Sequence, residues 1–513
     1  LPVRATTPTL TRLTQETLQR HPGRPCLLLL PAIVCLAAVP ASAASKPTPV
    51  STAPAAVLER AIAALGGEAA LRLDQFSLVY QGQSFPSAVD QGFSPDRSVG
   101  VRLQESLVFE VRSHHAARRW ESQNVDGSPT LWREGVVGDR GYRMNIKTQR
   151  RWPASTGLEN TWDQLAWRVP QLALLALSKE RASLRSEGSV TIDGLAFDAL
   201  GFPLASADGR TVTVLFDRET GLPAGYQHAE ERLLGRLMVR ALFKPYRRYE
   251  AGTLPAGYTL SIGDQRYQDL DLLDARRTIT EGDLWFELPA DQPDRPPLVV
   301  QQPSTTTEVH PGVFLMRNVG GSNTLFVDLG DCVAVLDAIA QYRGATLLPP
   351  AGRTEDLAAK VLAQIKSSLD KPVCWVVPTH HHDDHFGGIS RFAAAGATVL
   401  TTPGNLEFAR RTLQANGAGD GRIEVVRDRR VLGSGPNAME VGLLRGPHVE
   451  EMLFVHLPGH RLLFEGDLAD YVLQATAFLR FLDEHPMPID TILSVHGGRP
   501  YTMGEIRNLE PGN

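Results

Sequence analysis

The sequence predicts an α+β protein in which an antiparallel β-sheet domain with helices, residues 56–289, precedes a second domain of short strands and helices, residues 304–513. Three observations predict it. Apolar and polar residues alternate through much of Phe76–Trp152 and Val190–Phe286, as in Leu107-Val108-Phe109-Glu110-Val111-Arg112, which is the period of strands with one wet face. Helical spacing punctuates that pattern at Val57–Leu65 and Thr161–Leu184. After a Pro-rich stretch at 290–303, the chain turns to short apolar runs that end in histidines and carboxylates.

In chain order, residues 1–43 read as a secretory signal peptide. Arg4, Arg12, Arg20 and Arg24 stand against one acid, Glu16; an apolar run follows from Cys26 to Val39, broken by Pro31; and Pro40-Ala41-Ser42-Ala43 closes it with small residues. Positive, apolar and small-residue regions in that order make an export signal with cleavage after Ala43. The run is shorter than the ~20 residues a membrane helix needs, so no stable span is expected once the signal is gone, and the location is periplasmic or secreted. Residues 44–55 read as a linker rich in Pro, Ser, Thr and Ala.

The first domain opens with a helix on Val57, Leu58, Ala61, Ile62 and Leu65, stopped by Gly66-Gly67. A second helix, Thr161–Leu184, is apolar at Leu165, Trp167, Leu172, Leu175 and Leu177, and Pro170 should kink or interrupt it. His114-His115 is the one histidine pair here; neighbouring strand residues face opposite ways, so it is a poor chelate and reads as surface. Residues 58–289 resemble exported proteins related to lipoprotein-sorting factors, on the opening helix ending in Gly-Gly, the Asp217-to-Pro223 turn and the strand rhythm. That resemblance implies a curved antiparallel sheet wrapped around helices. Residues 290–303 read as a semi-rigid linker.

Composition narrows the partners. The chain has 513 residues, 42% hydrophobic and 21% charged, which excludes a disordered or collagen-like protein. A net charge of −5 supplies no basic stripe, so a small-molecule substrate is expected and nucleic acid is not. Cys332 and Cys374 open apolar runs read as strands; the expectation is two buried free thiols, with pairing across neighbouring strands as the alternative.

In the second domain Cys332–Leu336 is a strand ending at Asp337, Thr354–Leu369 a helix with Leu357, Val361, Leu362 and Ile365 on one face, and Val373–Val377 a buried strand. At its end stands Thr379-His380-His381-His382-Asp383-Asp384-His385-Phe386-Gly387-Gly388. His380 and His382 are two apart at a strand end, so both imidazoles can leave one side and chelate one ion. Asp384 and His385 offer a carboxylate and an imidazole to a second ion, and the glycines let the backbone turn away into a helix at Ile389–Ala395. Imidazole with carboxylate suits zinc, iron or manganese, with zinc the default. His448, Asp467 and His496 lie at or beside the ends of further apolar strands and are candidates to complete the set.

With these residues the segment from about Glu308 to Tyr501 resembles the metallo-β-lactamase superfamily. His380, His382, Asp384, His385, His448, Asp467 and His496 match its seven metal-ligand positions in order. The resemblance implies an αββα sandwich with two divalent metal ions, His380, His382 and His448 on the first, Asp384, His385 and His496 on the second, and Asp467 bridging. It also implies that Asp337 stands near the metals as a partner for a ligand histidine. His381 and Asp383 are expected to face outward or to lie behind the ligands, and His456 and His460 to be surface residues.

The expected chemistry is hydrolysis, in which water deprotonated between the ions attacks an ester, lactone, thioester or lactam carbonyl and Asp384 orients it and relays its proton. Asp467 stands where the best-known zinc β-lactamases carry Cys or Ser, which counts against lactam hydrolysis. The alternatives are a β-lactamase, a phosphodiesterase, or an exported lipid- or apolar-ligand-binding protein whose metal domain is structural.

Overall fold

The computed structural model describes residues 53–508 apart from 87–91, 96–97, 124–128, 139, 147–150, 153–160, 205–209, 280–284, 288–302, 341–355 and 469–471. The expected signal peptide and most of both expected linkers lie outside the described residues. The described residues belong to one compact unit, and the fold class is α+β: a large antiparallel sheet, then a sheet-based C-terminal domain.

Thirteen described strands form the first sheet. Strand Gln75–Ser84 pairs with Val101–Glu110 on one side and with the distant Gln265–Arg276 on the other, so the end of the domain closes back on its beginning. Helices Pro54–Ala64, Thr161–Ala166 and Pro170–Lys179 accompany it. Val57, Leu58 and Ala61 of the first meet Leu174, Leu177, Val214 and Phe216 in one apolar cluster. Pro170 interrupts the expected long helix because it starts a new one, where its missing N–H leaves no intrahelical bond unmade.

The strand alternation also turns a charge inward. Leu103, Glu105, Leu107 and Phe109 share the buried phase of their strand, and Glu105 is fully buried. Arg118 of the neighbouring strand and Arg168, at 2.5 Å, donate to its two carboxylate oxygens. Burial alone would raise the Glu105 pKa, but the two guanidinium groups outweigh it and hold the carboxyl below its ordinary 4.5.

The C-terminal domain has two sheets whose spatial order follows the chain. Seven strands run from Thr305–His310 to Ile423–Val425, and five from Arg429–Leu432 to Thr491–Ser494. Their facing sides share one core, with Phe326, Val335 and Val376 from the first sheet and Val441, Val455 and Phe464 from the second. Helices Leu357–Leu369, Ile389–Ala394 and Leu406–Ala415 pack against the seven-stranded sheet through Val361, Ile365, Phe392 and Phe408. Phe478 and Leu482 of helix Val472–Glu484, with Ile506, cover the other face of the five-stranded sheet at Phe454, Leu463 and Ile492. Each fully buried large apolar side chain contributes about 1.5–3 kcal/mol.

Cys332 and Cys374 form a disulfide, which corrects the expectation of free thiols. Strands Val333–Leu336 and Val373–Val377 are parallel neighbours with Val333 opposite Val373, so the two cysteines stand 5.8 Å apart at Cα. The first sheet also contributes to the second domain's surroundings. Leu233 lies in its core cluster and accepts a hydrogen bond from Asn416 Nδ2 at 2.8 Å. Among the described residues no helix is long and apolar enough to cross a membrane.

Candidate metal centre

Five strands deliver the site from their C-terminal ends. Val333–Leu336 leads to Asp337, Val373–Val377 to Thr379, His380 and His382, Met439–Leu444 to His448, Leu462–Glu465 to Asp467, and Thr491–Ser494 to His496. The one-turn helix Asp383–Phe386 adds Asp384 and His385. The donors come from both sheets and from strand ends fixed by core packing, which gives a site more precision than free loops would.

All seven expected residues come together in two adjoining sets: His380, His382, His448 and Asp467, then Asp384, His385 and His496. In the first, His380 Nε2 lies 3.0 Å from His382 Nδ1, and His448 Nε2 lies 3.3 and 3.2 Å from those atoms. In the second, His385 Nε2 is 3.1 Å from His496 Nε2, which is 3.2 Å from Asp384 Oδ2. Asp467 stands between the sets, one oxygen 3.2 Å from His448 Nε2 and the other 3.1 Å from His385 Nε2.

This donor set fits divalent cations. Three ring nitrogens lie within 3.3 Å of one another, close enough to turn their lone pairs to one point. Converging lone pairs with a carboxylate beside them are what a cation replaces. Burial, with the neighbouring His385 and His382, drives the His380 pKa well below its ordinary value, and burial with His448 and His381 does the same to His382. Both rings are therefore neutral and keep a lone pair to give. His385 goes the other way: burial opposes its charge, but Asp384, Asp467 and Asp337 outweigh burial and raise its pKa well above 6.5. Burial likewise opposes ionisation of Asp384, yet His385 and His496 pull its pKa down to about 2.

Behind the donors, Asp337 is fully buried and accepts from His385 Nδ1 at 2.8 Å and from the Thr379 backbone N–H at 2.5 Å. That bond fixes His385 with Nε2 facing the site. Asp337 also sits at φ 67°, a left-handed backbone uncommon for a side chain other than glycine; such strain concentrates where function requires it. Gly466 and Gly388 are needed for close approach. A Cβ at Gly466 would stand 2.7 Å from Thr379 Oγ1, and one at Gly388 3.0 Å from the Ala338 carbonyl. Gly388 has ordinary helical dihedrals, so proximity rather than conformational freedom explains it.

Of the two places expected for His381 and Asp383, both take the inner one: His381 is buried and its Nε2 donates to the Gly92 carbonyl at 2.8 Å, and Asp383 is buried as well. Other expectations need correction. His456 is buried rather than on the surface, because its strand is central in the five-stranded sheet; its Nε2 donates to the Pro488 carbonyl at 3.1 Å. His460 is half-buried, stacked on His310. His114 lies in a turn, stacked on Trp162, and His115 begins the next strand. Gly92 is the contributor that sequence reasoning missed: its carbonyl also accepts from His382 Nε2 at 3.0 Å.

Residues 317–472 match the family model of the Metallo-beta-lactamase superfamily, a span that holds six of the seven donors and stops short of His496. Among solved structures, a metallo-beta-lactamase from Pontibacter korlensis is 20% identical with a TM-score of 0.30, covering 40% of this chain and 96% of its own. The mono-zinc form of a metallo-beta-lactamase from Pseudomonas aeruginosa is 20% identical, TM-score 0.30, covering 41% and 94%. A stereoselective inverting sec-alkylsulfatase from a Pseudomonas species is 15% identical, TM-score 0.30, covering 40% of each chain. No curated protein matches the chain. The family match and the donor cluster together support a metal-dependent hydrolase in general terms.

Proposed function

We propose that this metallo-beta-lactamase superfamily domain works as a dinuclear, zinc-dependent hydrolase in an exported protein, cleaving an ester, lactone, thioester or lactam bond of a small molecule. The observation that carries the reading is the pair of adjoining donor sets with Asp467 between them. His380, His382 and His448 would hold one ion, Asp384, His385 and His496 the other, and Asp467 would face both. When bound, such cations polarise a carbonyl and bring the ionisation of water near neutrality.

The chain's own residues do the rest. Asp384 offers a carboxylate oxygen beside His496, able to accept a hydrogen bond from the attacking water, orient it and pass its proton to the leaving group. Asp337 keeps His385 in one tautomer throughout. Among the described residues the centre needs no Ser or Cys nucleophile, and Cys332 and Cys374 are spent in their disulfide. That disulfide supports the periplasmic or secreted location, since such bonds persist in oxidising compartments.

The test is metal analysis of the purified chain together with a screen of ester, lactone, thioester, lactam and phosphodiester substrates. Two ions per chain, and a carbonyl substrate whose hydrolysis a chelator abolishes, are expected. Fewer than one ion after zinc supplementation, with no turnover, would leave the N-terminal sheet as an apolar-ligand binder beside a structural passenger.

A further inference from the structure

We infer that the N-terminal sheet is a working part of the metal centre: the Gly92 carbonyl is a positioning group that holds His382 with Nδ1 turned into the three-histidine set. The inference rests on the dinuclear reading for what that set binds, and on geometry alone for how His382 is held.

Gly92 lies in the connection between strands Gln75–Ser84 and Val101–Glu110 of the first sheet. A carbonyl oxygen only accepts, so the His382 Nε2 found 3.0 Å from it must carry the ring proton. The neutral ring then has its lone pair on Nδ1. Nδ1 is the atom 3.0 Å from His380 Nε2 and 3.2 Å from His448 Nε2, so the tautomer that Gly92 selects is the one the donor set uses. His381 Nε2 donates to the same oxygen at 2.8 Å, which engages both lone pairs and seats the carbonyl between consecutive side chains.

The segment is anchored rather than merely adjacent. Gly92, Ser94 and Pro95 are buried, and the Phe93 carbonyl accepts from the Glu450 N–H at 2.9 Å, two residues beyond His448. The first sheet thus touches the loop of one donor and the ring of another. Acceptors behind a ligand histidine typically govern metal affinity by ~10–100-fold. Here that acceptor is a backbone atom from a sheet nearly three hundred residues upstream of the histidine motif, a separation of 290 residues.

The experiment replaces single peptide bonds by esters in the full chain. An ester between Gly92 and Phe93 makes the Gly92 carbonyl a weaker acceptor; an ester between Phe93 and Ser94 weakens the Phe93 carbonyl, the anchoring contact, and leaves the Gly92 carbonyl an amide. Each ester deletes one backbone N–H, so the second also controls for that loss. Zinc affinity is read by competition with a chromophoric chelator, and the ring proton of His382 by nitrogen-15 NMR of the metal-free protein. The Gly92 ester should loosen zinc by ~10–100-fold, the Phe93 ester should leave affinity near that of the unmodified chain, and His382 should be protonated on Nε2. Equal loss from both esters, unchanged affinity with the Gly92 ester, or a proton on Nδ1 would each overturn the inference. If the unmodified chain binds no zinc, the dinuclear reading fails, while the His382 proton position still decides this one.

Discussion

In the N-terminal sheet one carboxylate, Glu105, meets two guanidinium groups, whereas at the edge of the C-terminal sandwich five imidazoles and two carboxylates meet one another. Glu105 is fully buried and the histidine cluster is buried or half-buried, and burying charge costs several kcal/mol per ion unless partners compensate it. Around Glu105 opposite charges are paired within the chain: Arg118 and Arg168 each donate to one of its oxygens, and Arg118 also meets Glu134. In the three-histidine set ring nitrogen faces ring nitrogen with Asp467 beside them, a group of lone pairs that one cation could take. The difference separates a structural ion pair from a ligand site, although both read as buried charge in a residue list.

The comparison breaks first on activity. Asp384→Asn removes the charge that faces His496 and should lower hydrolysis by ~10²–10⁴-fold, with an unchanged far-ultraviolet circular dichroism spectrum; full turnover in that variant removes Asp384 from the mechanism. Glu105→Gln should do the reverse, costing roughly 3–5 kcal/mol of stability because Arg168 is left buried without a counter-charge and Arg118 keeps only Glu134. Urea unfolding checks it, and a loss below about 1 kcal/mol, the scale of exposed pairs, would mean that the pair is effectively solvated.

A third variant probes the sandwich without touching a donor. Replacing Cys332 and Cys374 by Ala opens a loop of sequence separation 42, for which the chain-entropy account gives roughly 3–4 kcal/mol. Because the disulfide ties together the strands that lead to Asp337 and His380, the same variant should bind zinc more weakly if strand-end rigidity supports the site. Calorimetric unfolding and zinc titration measure the two effects separately, and lost stability with unchanged affinity would confine the disulfide to folding.

Much of this organisation was legible along the chain because its signals are local. The His380-to-His385 spacing, the strand-end positions of His448, Asp467 and His496, and the alternation of the first sheet all depend on near neighbours. Glu105 was half-legible: it falls in the buried phase of Leu103, Leu107 and Phe109, yet nothing local names Arg118 and Arg168 as its partners. The disulfide was less so, since its register depends on a parallel crossover through helix Leu357–Leu369. His456 was misread because a polar residue in a short apolar strand is exposed in an edge strand and buried in a central one. Gly92 left no trace, because its contribution is a backbone carbonyl and a carbonyl has no side-chain signature.

The smallest expected effect separates the two clusters by pH. Glu105 has a folded pKa below its unfolded value of about 4.5, so its contribution is present above that pH and is lost as pH falls through the folded pKa. His385 has a folded pKa well above 6.5, so in the metal-free chain its contribution is complete below 6.5 and is lost as pH rises through the folded value. Glu105→Gln should therefore flatten the acid side of the stability profile and leave the alkaline side unchanged. Asp337→Asn removes a carboxylate that favours charged His385 and should flatten the alkaline side instead. Urea midpoints of the metal-free protein across pH distinguish the two; if both variants flatten the same side, the clusters do not titrate independently and the contrast between them fails.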